Sequence, residues 1–120
     1  MPTELSEQII LVKALRYARI LHASVPNGGK RNKREARALV ASGMVAGVPD
    51  LLIFDRPPNR PEAVGVALEL KRAKGGKVSE AQQRWLVALA DRGWVAIVAH
   101  GAAEALSKLQ ELGYPVGGLQ

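Results

Sequence analysis

Between Leu51 and Lys71 the chain sets two apolar runs, LLIF (51–54) and VGVALELK (64–71), on either side of RPPNRPEA (56–63). Three prolines in that middle segment forbid a central strand, because proline cannot donate to a sheet ladder. The flanking runs are therefore predicted to pair as an antiparallel hairpin. With the loop centred near Asn59–Arg60, a symmetric register pairs residues whose numbers sum to about 119, as 54 with 65 and Asp50 with Glu69. Residues opposed in this way bring their Cβ atoms within about 4.5–5.5 Å. Side chains alternate along a strand, so Glu69 and Lys71 share one face and Leu70 takes the other. Two carboxylates and an ammonium thus converge at a sheet edge, where a small domain would ordinarily bury leucine.

The remaining segments surround this hairpin with helices and two further strands. Residues 4 to about 20 lack Gly and Pro and predict a helix, with Thr3 as its N-cap and Glu4 and Glu7 in its first turn. Glu7, Ile10, Ala14, Tyr17, Ala18 and Leu21 form one stripe, read as the face that packs on the sheet. HASV (22–25) is a short strand, PNGG breaks the chain, and KREARALVAS is a short helix ended by Gly43. Ser79 caps a helix stopped by Gly93, WVAIVAH (94–100) is a buried strand, and AAEALSKLQELG is a last helix with Gly113 at its end. The order is helix, strand, strand, strand, helix, strand, helix, with an extra short helix after the first strand. That predicts an α/β fold, a mixed sheet flanked by helices, in a single domain over residues 1–120 without repeats or linkers.

Charge points to a polyanionic partner. Seventeen Lys and Arg against eleven acids give a net charge of +6. The cations are clustered: KRNKREAR (30–37) carries five with only Glu35 against them, and KRAKGGK (71–77) carries no acid. Two basic clusters flanking an acidic pair suit a path for phosphates. The chain has no cysteine, so it has no disulfide and no Cys-ligated metal. No apolar run approaches the roughly 20 residues that span a bilayer. The start, MPTELSEQ, places acids where a secretory signal needs cations, and a cytoplasmic location is expected.

Two carboxylates at hairpin spacing raise each other's pKa unless a cation lies between them. A hard divalent ion with oxygen ligands is the natural remedy, and Mg²⁺ commonly takes one or two carboxylates while keeping several waters. Lys71 cannot ligate a cation, but it can hold a water or a phosphate oxygen. With basic surroundings, the fitting chemistry is metal-assisted phosphodiester hydrolysis.

PNGGKR (26–31), AGVPDLLIF (46–54), ALELK (67–71) and GGKVSEAQQRWLVAL (75–89), in this order, resemble the VRR-NUC domain of the PD-(D/E)xK nuclease superfamily. The likeness spans about residues 4 to 100. The resemblance implies a restriction-endonuclease-like core of helix, three strands, helix and strand. The size is similar to that of stand-alone, phage-type members, acting in the cytoplasm of a bacterial or phage-infected cell.

The resemblance implies Asp50 and Glu69 as metal ligands, completed by the backbone carbonyl of Leu70, with Lys71 as the catalytic lysine. Gln82 matches the family's glutamine on the helix facing the site. The family also uses a first-helix glutamate, for which Glu4 and Glu7 are the candidates and Glu7 is preferred. Asn27, Lys30 and Arg31 resemble the family's PNGG-basic segment, whose glycines let backbone approach a phosphate. Arg34, Arg37, Arg72, Lys74 and Lys77 are further candidate DNA contacts. His22 and His100 have no partner at ligand spacing and receive no catalytic role. Trp85 and Trp94 are read as core or dimer contacts. The implied activity is a Mg²⁺- or Mn²⁺-dependent, structure-specific DNA endonuclease, cutting four-way (Holliday) junctions as a homodimer. A non-catalytic DNA-binding module on the same fold and an RNA endonuclease are the competing readings.

Overall fold

The computed structural model describes residues 2–26 and 32–117. Eight elements follow one another: α1 (Glu4–Tyr17), β1 (His22–Ser24), α2 (Lys33–Ala41), β2 (Leu51–Ile53), β3 (Val66–Lys71), α3 (Glu80–Ala90), β4 (Val95–His100) and α4 (Ala102–Glu111). This is the predicted order, with the strands trimmed at their ends. One mixed sheet runs β1-β2-β3-β4; β1 and β3 are antiparallel to β2, and β4 is parallel to β3. Leu51 pairs with Leu68, Leu52 with Ala67 and Ile53 with Val66. Each pair sums to 119, the register read from the proline loop.

That register is held from outside the sheet. Asn59 donates its backbone N–H to Leu112 and its side-chain amide to the Glu111 carbonyl, tying the proline loop to the end of α4. Tyr114 donates its hydroxyl to the Asp55 carbonyl, and Asp55 in turn accepts from the Leu21 N–H. Loop, α4 and the exit from α1 are thus bound into one unit at the end of the sheet away from Lys71.

The two faces of the sheet serve different ends. Val66, Leu68 and Leu70 of β3 and Leu51 and Ile53 of β2 are fully buried with Leu11 and Leu15 of α1 and Ala105, Leu106 and Leu109 of α4. This face is the core. By alternation Ala67, Glu69 and Lys71 point the other way, toward α3. The stripe expected on α1 is corrected here. Ile10, Tyr17 and Leu21 are exposed, Tyr17 almost completely. The helix is rotated so that Leu11 and Leu15, four apart, carry the packing, and of the expected stripe Ala14 and Ala18 pack partly buried against the core. Nor does α4 offer apolar surface to a partner, since that face lies in the core.

Helix ends are set by local chemistry. Thr3 and Ser6 exchange reciprocal bonds at the start of α1, and Ser79 and Gln82 do the same at α3. α4 begins at Gly101, which has no side chain to cap it. On the outer edge of β4, Lys108 donates its ammonium to the Val98 carbonyl at 2.7 Å.

Gly47 positions the turn that leads into β2. Its φ is +94°, and a Cβ there would meet the Ala81 carbonyl carbon at 2.7 Å and its oxygen at 2.8 Å. The turn therefore lies directly on the first turn of α3, backbone to backbone. Gly47→Ala combines left-handed strain with a collision that no side chain can relieve. It is expected to cost about 2 kcal/mol or more of stability, measured as a lowered midpoint in urea. An unchanged midpoint would mean that the turn is not clamped.

Candidate active site

Asp50 closes the Gly47–Val48–Pro49 turn and precedes β2, and its Oδ2 accepts the Leu70 N–H at 2.8 Å. One strand residue directs its N–H and C=O to the same edge, so the Leu70 carbonyl also faces the Asp50 side. Glu69 is only 1% exposed. Its Oε2 accepts from Gln82 Nε2 at 3.1 Å and lies 3.6 Å from the Lys71 ammonium, itself nearly buried. Its Oε1 is buried and has no hydrogen-bond partner.

Burial first, and then the hydrogen bond and charge of Asp50, push the Glu69 carboxyl up to about 8, with Lys71 opposing. In this arrangement one carboxyl of the pair holds its proton far above the ordinary range. An orphaned carboxylate oxygen inside a protein costs about 1–3 kcal/mol, and here it faces a second carboxyl. A hard cation between the groups would satisfy both, so the donor set fits one: Asp50, Glu69 and the Leu70 carbonyl. Among the described residues no cluster of three or more His, Cys, Asp and Glu forms, so a third protein ligand would come from backbone.

Gln82 does two jobs with one side chain. Its Oε1 accepts the Ser79 N–H at 2.9 Å, closing the α3 capping box, while its Nε2 holds Glu69. Gln83, its neighbour, is exposed. Because Gly47 seats the Asp50 turn against Ala81, the first turn of α3 positions both acids.

Glu7 reaches the Lys71 end of the sheet from α1. Its Oε1 accepts the Ala102 N–H at 2.9 Å, supplying α4 with the cap that Gly101 lacks. It sits with α1 and α4, on the sheet face opposite Gln82. Glu4 is exposed. Gly101 in turn donates its N–H to the Lys71 carbonyl at 2.8 Å, so Glu7 bears on the backbone of the lysine through the start of α4. Sequence spacing carried no sign of this link between residues 95 positions apart.

Arg72, Lys74 and Lys77 are exposed on the loop after Lys71, and Arg34 and Arg37 are exposed on α2, which has no buried residue. At Gly76 a Cβ would come within 2.9 Å of Lys71 Cβ, so this basic loop folds back over the lysine. Asn27, Lys30 and Arg31 lie outside the described residues.

The raised Glu69 carboxyl has a sign that can be tested. The unfolded chain releases this proton near the ordinary value of 4.5, the folded chain only near 8. Between these values the folded state binds more protons, so stability falls as pH rises. Metal-free protein is expected to melt several degrees lower at the top of that window than at its foot. Glu69→Gln should flatten this decline, and a divalent cation should reverse it in wild type alone. A decline that persists in Glu69→Gln would assign it to another group.

Comparison with known proteins bears on this geometry. The family model for the VRR-NUC domain matches residues 3–103. A solved structure described as a VRR-NUC domain protein superimposes with a TM-score of 0.71 at 23% identity, covering 92% of this chain and 90% of that one. No curated protein sequence matches. The family match spans the helix that carries Glu7, the turn of Asp50, the strand of Glu69 and Lys71 and the helix of Gln82, and the chain belongs to the VRR-NUC domain family, with a nuclease-type fold.

Proposed function

We propose that this chain is a divalent-metal-dependent DNA endonuclease. The observation that carries the reading is the trio on one sheet face: Asp50 and Glu69 with an unpartnered buried oxygen, and the Lys71 ammonium 3.6 Å from Glu69. Asp50, Glu69 and the Leu70 carbonyl would hold Mg²⁺ or Mn²⁺, which supplies Lewis-acid stabilisation of charge building on a phosphoryl oxygen. Gln82 keeps the Glu69 carboxyl oriented. Lys71, nearly buried and tethered by Glu69, directs its ammonium at a water or a phosphate oxygen. Hydrolysis adds water across one P–O ester bond, and the exposed cations Arg72, Lys74 and Lys77 neutralise the strand that passes over the lysine.

Within this reading the substrate is a branched DNA, the four-way junction. One site cuts one strand, so symmetric cutting calls for two sites and a homodimer of C₂ symmetry. The alternatives, a binding module without chemistry or an RNA nuclease on this fold, are separable by the same assay.

Labelled junctions, flaps, duplexes and single strands, with an RNA version of the junction, are to be incubated with Mg²⁺ or Mn²⁺. Cleavage of the DNA junction is expected, with loss of about 10²–10⁴-fold in Lys71→Ala and no detectable cutting in Asp50→Ala. Junction binding without cutting by wild type under either metal would favour the binding module. Cutting of the RNA junction alone would move the activity to RNA.

A further inference from the structure

The mechanism above leaves one ring unused at the same end of the sheet. His100 is the last residue of β4, and in the parallel register it is the partner of Lys71. Paired residues on neighbouring strands project to the same face. His100 therefore stands beside Lys71 on the face that carries Glu69, one strand further out. Its Nδ1 lies 3.2 Å from the Arg72 carbonyl. A carbonyl only accepts, so Nδ1 carries the hydrogen there, and Nε2 is the ring nitrogen available to a ligand.

The surroundings fit an anion contact. Lys71 adjoins it on β3, and Arg72 and Lys74 lie on the loop that starts at its hydrogen-bond partner. From α4, Glu104 lies close: Lys108 first, and then the backbone and charge of His100, hold the Glu104 carboxyl below its ordinary range against partial burial. Lys108 pairs with Glu104 at 3.1 Å. On α3 the charged pair Glu80–Arg84 is exposed to solvent. Glu7 is taken up by Ala102. The charged groups around the ring are thus Lys71, Arg72 and Lys74, against Glu104 paired with Lys108, Glu7 taken up by Ala102, and Glu69 held by Gln82 and Lys71.

We propose that His100 is a substrate-binding residue of this site, donating from Nε2 of its charged ring to a DNA phosphate next to the scissile one. This rests on the nuclease reading for its substrate, but its test does not need cleavage. With Nδ1 held by the Arg72 carbonyl, Nε2 donates only when the ring is charged. It also follows that His100 ties the first residue of the basic loop to β4, so the ring is both anchor and contact.

Asparagine separates these two roles, since its amide reaches the place of Nδ1 and has nothing at Nε2. Binding of a fluorescein-labelled four-way DNA junction is to be followed by anisotropy in a Lys71→Ala background over a range of salt concentrations. The expected result is binding weakened about tenfold, with a salt slope lower by about one, in His100→Asn and His100→Ala alike. Thermal melts check that each variant folds. If His100→Asn binds as the His100 protein does and only His100→Ala is weak, the ring is an anchor alone and the proposal fails. A loss without change in the salt slope overturns it as well. Junction binding that depends on His100 in this way, in a protein whose wild type never cuts, would refute the nuclease reading and leave His100 standing.

Discussion

The arrangement at Glu69 depends on a carboxyl group that the fold buries without fully satisfying. One oxygen has the Gln82 amide and the edge of the Lys71 ammonium; the other has no donor, and the Asp50 carboxyl can share a hydrogen bond with the group only when one of the two acids keeps its proton. Such a group is unfavourable as an anion in isolation, and structures tolerate that cost mainly where it is used. The neighbouring features make sense around it. Gly47 is needed because the turn of Asp50 must touch α3, and α3 must be there because Gln82 starts from its capping box. A single helical turn thereby sets the positions of both acids.

The sheet also divides its labour cleanly. One face is filled by leucine, isoleucine and valine between α1 and α4. The other carries Glu69, Lys71 and His100 in adjacent places. Glu7 bridges the two by an indirect route. It caps α4, whose preceding residue holds the Lys71 carbonyl. A first-helix acid in this position bears on the lysine through backbone.

Much of this was legible before any coordinates. The three prolines fixed where the hairpin turns, and the register followed because strand pairing is a matter of counting. The alternation of side chains then put Glu69 and Lys71 on one face. The caps at Thr3 and Ser79 were legible because they depend on neighbours three residues apart. What failed was the rotation of α1. Its apolar residues run nearly all the way round, so no single stripe stands out, and only tertiary packing selects Leu11 and Leu15. The Glu7–Ala102 and His100–Arg72 bonds were invisible for a related reason: each joins segments far apart in the chain, and nothing local announces them.

The lysine on the rim of β4 has a wider meaning. An open sheet edge invites another strand to continue it, and charged side chains laid across such an edge discourage that union. Here the Lys108 amine already occupies the Val98 carbonyl, and Glu104 keeps the amine in place. Two copies could not fuse their sheets along this border without evicting both groups. Sheet-to-sheet pairing of two copies is therefore disfavoured along the rim next to His100.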